Sequence, residues 1–413
     1  MSGVLTILEI PAIIAAGLLT GYLALLSLLA LIARAQAPPV PGRKRRFAVV
    51  VPAHNEEGTL EKTLLSLRGL DYPPDLFDVI VVADNCTDMT AGVARSAGAA
   101  VLERTDETGR GKGHALRWAF DTLIGKSPAY DAFVVIDADS VATKNFLGVM
   151  NDELDLGAEA IQSGDLVKRN TASWSTEITR LGFTLYNHVR PLGREVLGCS
   201  AGLRGNGMCF SAGLLKRIPW NAFGVTEDLQ YGLTLLLNGV KVRYAPGAVV
   251  YATMPAYSRN AVSQRARWER GRAPVKKLFS GRLLSMAARK FSFPALDAWI
   301  DLVTPPFVHM MAAITTMACA HLVLEAAFPG SFSSLALAWT VVMALGVVHV
   351  TAGLIAARAD AGQYLALCYV PVYALWKLWL YVRRPHSKPP AEWVRTTRDA
   401  DRSAPVITDR DGT

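Results

Sequence analysis

The sequence predicts an α/β domain built on a mostly parallel sheet, with helices on both faces and membrane helices on either side. Three observations carry that expectation. Between residues 47 and 136, short apolar runs rich in β-branched residues alternate with amphipathic helical patterns. Each of those runs stops at a polar cluster. Long stretches without charge lie before and after the region. Strands that are apolar throughout are buried on both faces, which is the habit of parallel sheets.

The elements follow in order. "FAVVV" (47–51) ends at "PAHNEEG", and a helical pattern follows with Leu60, Leu64 and Leu67 on one face. "DVIVVA" (78–83) ends at "DNCTD". "AAVLE" (99–103) leads into "RTDETGRGKG", then a helix carrying Leu116, Ala119, Phe120 and Leu123. "AFVVI" (132–136) ends at "DADS". In open α/β sheets ligands bind outside the carboxyl ends of the strands. One edge is therefore expected to gather His54, Asn55 and Glu56; Asp84, Asn85 and Asp88; Arg104, Arg110 and Lys112; and Asp137 with Asp139.

Asp137 and Asp139 are separated by one alanine. Like charges that close repel and each resists ionising, so the pair is comfortable only in water or around a cation. Any one of these clusters alone reads as a solvated turn. Acidic and basic clusters at one edge read better as a site for an anionic ligand held through a metal: carboxylates take the cation and basic groups meet phosphate oxygens. "GRGKG" (109–113) lacks the G-x-x-x-x-G-K-[ST] spacing of a phosphate-binding P-loop.

Two later motifs add chemistry. "VTEDL" (225–229) opens a helix with Thr226 as a good N-cap and Glu227 and Asp228 in the first turn, where acids suit the helix dipole. "SQRARWERGR" (263–272) reads as a helix ending at Pro274, with Gln264, Arg267 and Trp268 on one face.

The chain has 413 residues, 51% of them apolar, and a mean hydropathy of +0.25. The apolar excess is concentrated at 10–33, 304–328 and 335–357, each long enough to span a bilayer. Residues 362–382 mix Trp, Tyr and Lys377 and read as an interfacial or tilted segment. The net charge of +8 comes with "RKRR" (43–46) after the first span and "RRPHSK" (383–388) after the last apolar stretch. Basic residues collect on the cytoplasmic side of membrane helices, which places the globular part in the cytoplasm. They do not alternate with aromatics along one face, so nucleic-acid binding is not expected. Five cysteines without a C-x-x-C pair fit a reducing compartment. The expected organisation is a membrane helix at 1–36, a cytoplasmic domain at 37–282, an interfacial helix at 283–303, membrane helices at 304–382, and a polar tail at 383–413.

In their order along the chain, "VPAHNEE", "DNCTD", "GRGKG", "DADS", "GNGMCF" (205–210), "TED" (226–228) and "QRARW" (264–268) resemble the membrane-embedded inverting glycosyltransferases of family 2, the group of cellulose, chitin and hyaluronan synthases. The resemblance implies a GT-A-like, Rossmann-like fold, a UDP-sugar donor, UDP-glucose or UDP-N-acetylglucosamine first, and Mg²⁺ or Mn²⁺. It implies that His54, Glu56, Asp84, Lys112, Asp137 and Arg267 bind the nucleotide-sugar and that Asp139 ligates the metal. Asp228 would be the catalytic base. Gly205, Asn206, Gly207, Glu227, Gln264 and Trp268 would meet the acceptor. The resemblance associates the Q-x-x-R-W pattern with processive synthesis of a β-linked polysaccharide at the inner (plasma) membrane, with room for accessory export subunits. The small number of spans favours the alternative, transfer of one sugar to a membrane lipid. The acceptor is thus a glycan or a lipid.

Overall fold

The computed structural model describes residues 2–33, 42–126, 128–168, 174–252 and 258–370, and the side chains of all of these except 2–7, 174–175 and 258–270. Helix α1 (Ser2–Leu31) precedes β1 (Phe47–Ala53), α2 (Leu60–Arg68), β2 (Phe77–Asp84), α3 (Thr90–Ser96), β3 (Ala100–Arg104), α4 (Lys112–Leu123) and β4 (Ala132–Val135). Then come β5 (Ser140–Ala142), α5 (Phe146–Asp155), β6 (Ala160–Val167), α6 (Trp174–Phe183), a π-helical turn (Thr184–Val189) and α7 (Arg190–Val196). The domain continues with β7 (Met208–Ser211), α8 (Ala212–Arg217), α9 (Glu227–Leu237) and β8 (Val242–Ala252). Helices α10 (Ser258–Lys290), α11 (Phe293–Val303), α12 (Phe307–Ala327), α13 (Ser333–Ala356) and α14 (Ala361–Ala366) follow.

All eight strands form one sheet in the order β3-β2-β1-β4-β7-β6-β8-β5. β1 pairs in parallel with β2 and β4, and β2 with β3, while β7 runs antiparallel between β4 and β6. β1 shows why the strands are apolar at every position. Phe47, Val49 and Val51 enter one core with Leu60, Leu64 and Phe146. Ala48 and Val50 enter the other, with Leu116, Phe120 and Trp220. Burial of each such side chain is worth about 1.5–3 kcal/mol. The two layers therefore fix the sheet, and the sheet fixes where its strand ends point.

Among the described residues, three helices are long and apolar enough to cross a membrane: Leu8–Leu31, Phe307–Ala327 and Ser333–Ala356. They share a cluster around Leu23, Ile314, Trp339 and Val342. His349 on α13 is fully buried, with Nδ1 2.7 Å from Ser27 Oγ on α1. The sheet side meets this bundle through α7, where a Cβ built on Gly193 would lie 2.3 Å from the carbonyl oxygen of Leu26.

Two expectations change at the helices. The basic helix does not stop at Pro274; α10 runs through it to Lys290. A boundary at 282/283 falls inside that helix, and the break comes at Phe291, which has a positive φ of 49°. Of the 362–382 segment, only residues up to 370 lie within the described part.

Candidate active site

The site forms where β1, β2 and β4 end side by side. Asn55 and Asn85 each follow a strand in the left-handed backbone region, with φ of 56° and 50°, a conformation asparagine tolerates better than most residues. Their side chains hold the neighbouring loops: Asn55 Oδ1 accepts from the Thr87 amide at 2.8 Å, and Asn85 Oδ1 from the Asp106 amide at 2.9 Å. His54 Nδ1 lies 2.7 Å from the Asp84 carbonyl, and Glu56 Oε2 accepts from Thr59 Oγ1 at 2.7 Å. His54, Glu56 and Asp84 thus belong to one corner.

Asp84 is 1% exposed and accepts from Arg104 Nη1 at 2.6 Å, while its Oδ2 has no hydrogen-bond partner among the described residues. Arg104, expected among groups that would meet phosphate, is instead the buried counter-ion of Asp84 and also pairs with Asp106.

The second corner centres on Lys112, the first residue of α4. Its Nζ donates to Asp137 Oδ1 and to the Gly205 carbonyl, both at 2.5 Å, and lies 3.9 Å from Glu227 Oε1. Desolvation would lower its pKa, yet Asp137 and Glu227 override it and hold the ammonium charged above the ordinary lysine range. Glu227 and Asp228 sit in the first turn of α9. Burial, then Asp228, raises the Glu227 pKa to about 8. Burial raises that of Asp228 as well, against its own backbone hydrogen bond, Lys112 and Arg204. Two acids this close share their proton binding, and the more deeply buried Glu227 is the one held furthest towards its protonated form. Asp228 is half-exposed and makes no ion pair within the described residues, so its oxygens stay available. Thr226 is not the cap its type suggests; its hydroxyl donates to the Gly271 carbonyl at 3.0 Å and ties α9 to α10.

The "GNG" segment divides its work. Gly205 (φ 85°) presents its bare Cα to Asp228, and a Cβ there would lie 3.3 Å from Asp228 Oδ2. Asn206 is 3% exposed and uses its side chain inside the protein. It accepts from the Asp137 amide at 3.0 Å and donates to Ser140 Oγ at 2.9 Å and Asp165 Oδ1 at 3.3 Å. Ser140 Oγ in turn donates to Asp139 Oδ1 at 3.2 Å. A Cβ on Gly207 would fall 1.9 Å from Ser163 Oγ, so that glycine serves packing beneath the site.

Asp165 is a residue that motif reading missed. It is 6% exposed on β6, and burial, then Asp137, raises its pKa well above the ordinary aspartate value. Its Oδ2 accepts from Asn187 at 3.1 Å. The signal was present as an acid inside the apolar strand "AIQSGDLV". The structure brings Lys112, Asp137, Gly205, Asn206, Glu227 and Asp228 together, with Asp139 two residues beyond Asp137 and linked through Ser140. Gln264, Arg267 and Trp268 lie on α10, and their side chains are outside the described residues.

No group of three His, Cys, Asp or Glu side chains within the described residues could hold a metal unaided. That fits a hard cation of the magnesium type, which commonly takes one or two carboxylates and completes its shell with substrate phosphates. Half-exposed Asp139 lies at the strand end beside Asp137.

An α/β sheet of this order, with acids and a lysine gathered beyond its carboxyl edge, is the frame of a GT-A-like glycosyltransferase. The solved mannosyltransferase PcManGT from Pyrobaculum calidifontis, in complex with GDP-Man and Mn²⁺, shares that fold: TM-score 0.56, 19% identity, covering 86% of this chain and 98% of that one. Residues 44–271 match the model of the family described as "Glycosyltransferase like family 2", and the chain belongs to that family. It is 25% identical over 260 residues to the probable glycosyltransferase YdaM of Bacillus subtilis (strain 168), covering 60% of each chain. It is 22% identical over 231 residues to poly-beta-1,6-N-acetyl-D-glucosamine synthase of Staphylococcus aureus (strain MSSA476), covering 54% of this chain and 53% of that protein. The chain therefore spans a little over half the length of these curated relatives.

Proposed function

We propose that this glycosyltransferase moves a hexose from a UDP-sugar, with inversion, to an acceptor hydroxyl at the inner face of a membrane. The observation that carries the reading is Asp228. It is a half-exposed carboxylate with a raised pKa and no ion pair within the described residues, set against the bare Cα of Gly205. A raised pKa and an open approach suit a general base.

The donor's base would lie at the corner of His54, Glu56 and Asp84, where the orphaned Asp84 Oδ2 can accept an N–H. Lys112 would meet the diphosphate while Asp137 keeps it in place. Asp139, with the donor's phosphates, would hold Mg²⁺ or Mn²⁺. Such an ion, when bound, neutralises charge gathering on the departing diphosphate. Asp228 takes the proton of the acceptor hydroxyl as its oxygen attacks the anomeric carbon. The carbon–oxygen bond to UDP breaks with its electron pair leaving on UDP. One displacement from the opposite face inverts the centre, so an α-linked donor yields a β-linked product. Protonated Glu227 keeps Asp228 from facing a second negative charge.

The family pattern at Gln264, Arg267 and Trp268, together with the poly-N-acetylglucosamine synthase relatives, favours a growing β-glycan as acceptor. A second reading, one transfer to a membrane lipid, is favoured by arginines crowded where α7, α10 and α11 meet. Full-length protein in membranes, given radiolabelled UDP-sugars, tests the function. Wild type is expected to turn over. Asp228→Asn is expected to lose about 10²–10⁴-fold in rate while UDP affinity stays within twofold. Asp139→Ala is expected to lose the Mn²⁺-dependent part of UDP binding. Wild-type turnover in Asp228→Asn would overturn its role as base.

A further inference from the structure

Beside Asp228, on the side facing the apolar helix bundle, four guanidiniums gather, and three of them, those of Arg190, Arg204 and Arg272, converge on Tyr186. Arg190 and Arg194 come from α7, Arg204 from the loop before β7, and Arg272 from α10. Their carboxylate partners at ion-pair distance within the described residues are Asp297 and Asp301 on α11, and Asp228 lies near Arg204, so the arginines outnumber the carboxylates. Arg194 pairs with Asp297 and Asp301, both at 3.3 Å, and Arg190 with Asp301 at 3.5 Å. Within the described residues, Arg204 and Arg272 have no carboxylate at ion-pair distance.

Their donors go to neutral oxygens instead. Arg272 Nη1 donates to Tyr186 Oη at 2.7 Å and Nη2 to the Asp301 carbonyl at 2.9 Å. Arg204 Nη1 reaches Tyr186 Oη at 3.4 Å and Nη2 the Ala201 carbonyl at 3.3 Å. The guanidiniums of Arg204 and Arg190 lie 4.4 and 4.9 Å from the centre of the Tyr186 ring. Among the described residues, Nε of Arg190 and of Arg204 is buried without a hydrogen-bond partner, while Nε of Arg194 faces Asp297. Burial would raise the pKa of Tyr186, yet Arg272 and Arg204 bring it below the ordinary phenol value. Burial would raise Asp301 too, yet Arg194, Arg272, Arg204 and Arg190 drive it well below the carboxylate range. Uncompensated buried charge is costly and attracts a counter-ion.

The backbone sets this cluster next to the chemistry. Arg204 precedes Gly205, whose Cα faces Asp228, and Arg272 follows Gly271, whose carbonyl receives Thr226. Lys112, paired with Asp137 where the departing diphosphate would sit, meets the same segment at the Gly205 carbonyl. In an inverting displacement the acceptor approaches from the opposite face. We propose that Arg204, Arg272 and Tyr186 form a phosphate-binding site that anchors a phospholipid acceptor by its headgroup phosphate while a hydroxyl of the same headgroup meets Asp228. This rests on the lipid-acceptor reading above. The phosphate is the anchor and not the nucleophile. It is already ionised and needs no base, whereas Asp228 is set to take a hydroxyl proton as the new carbon–oxygen bond forms and UDP leaves.

The test uses full-length protein in micelles, titrated in parallel with dihexanoyl-phosphatidylglycerol, dihexanoylglycerol and UDP–Mg²⁺, with tryptophan fluorescence as readout. Wild type is expected to bind the phosphatidylglycerol at least tenfold tighter than the uncharged lipid. Arg204→Gln and Arg272→Gln are each expected to lose at least fivefold in that affinity and keep UDP affinity within twofold. Arg204→Lys, which keeps the charge and changes the fork, is expected to lose two- to fivefold even should the glutamine variants fail to fold. Equal binding of the two lipids by wild type overturns the site. So do arginine variants that weaken UDP and leave the lipid alone, since the anion held is then the donor's diphosphate. Wild type that binds the lipid but neither binds UDP nor transfers sugar leaves the site standing and sinks the transferase reading.

Discussion

Glu227 and Asp228 are neighbours with opposite duties, and the difference is environmental. Glu227 is 7% exposed and holds its proton to about pH 8, while Asp228 faces the open side. Glu227 therefore leaves a mark on stability. Its pKa rises from an ordinary 4.5 to about 8 on folding. Between those values the folded state binds more protons than the unfolded one, so this contribution is intact below about pH 4.5 and fades as pH rises towards 8. The melting temperature is expected to fall from pH 5 to pH 8, and Glu227→Gln is expected to flatten that fall in thermal melts across the range. Asp165 is raised in the same direction and keeps part of the slope in the variant. An unchanged slope in Glu227→Gln would show that Glu227 ionises normally. Motif reading found the residues at the strand ends because a parallel sheet displays them together. It could not find Asp165 or the inward role of Asn206, since only packing brings 137, 140, 165 and 206 into one chain of hydrogen bonds.

Among the elements, strands β1 to β4 and the three long apolar helices were legible because continuous apolar composition defines them. The later strands were not: β6 carries Gln162, Ser163, Gly164 and Asp165, and β8 contains Pro246 and Gly247, which break the apolar run. β7 has four residues and β5 three, and their antiparallel pairing depends on partners far along the chain. Helix α10 outran its proline because Pro274 lies where neighbouring turns pack: Val275 and Phe279 are buried against Leu233, Leu236 and Leu302. β7 and β6 meet over Gly207, whose left-handed φ of 67° and missing side chain make room for Ser163. Gly207→Ala is expected to cost about 1–3 kcal/mol from overpacking and backbone strain together. Adding Ser163→Ala, which removes the nearest atom, is expected to restore part of it in denaturant unfolding. A Gly207→Ala protein of unchanged stability would remove this account of the glycine.

Across the whole molecule, the globular domain and the membrane bundle share an interior. α7 meets α1 at Gly193, and Arg194 donates to Tyr22 Oη at 3.3 Å while paired with Asp297. The seam cannot be read from the sequence, because residues 22, 194 and 297 carry no common motif and meet only when three separate helices close. A Cβ on Gly193 would stand 2.3 Å from a backbone oxygen, which has little freedom to yield. Gly193→Ala is expected to destabilise the full-length protein by about 2 kcal/mol, or roughly 2 °C in melting temperature for a chain of this length, and to speed amide exchange in both α7 and α1. Faster exchange in one helix alone would show that the two do not act as a unit. This seam has a mechanical consequence. On the proposed reading, with the three apolar helices in a bilayer, the reacting centre rides at a constant altitude above the lipid, with no slack to climb along a lengthening chain. Whatever is made there must be carried off sideways by its own anchor or threaded past a stationary machine.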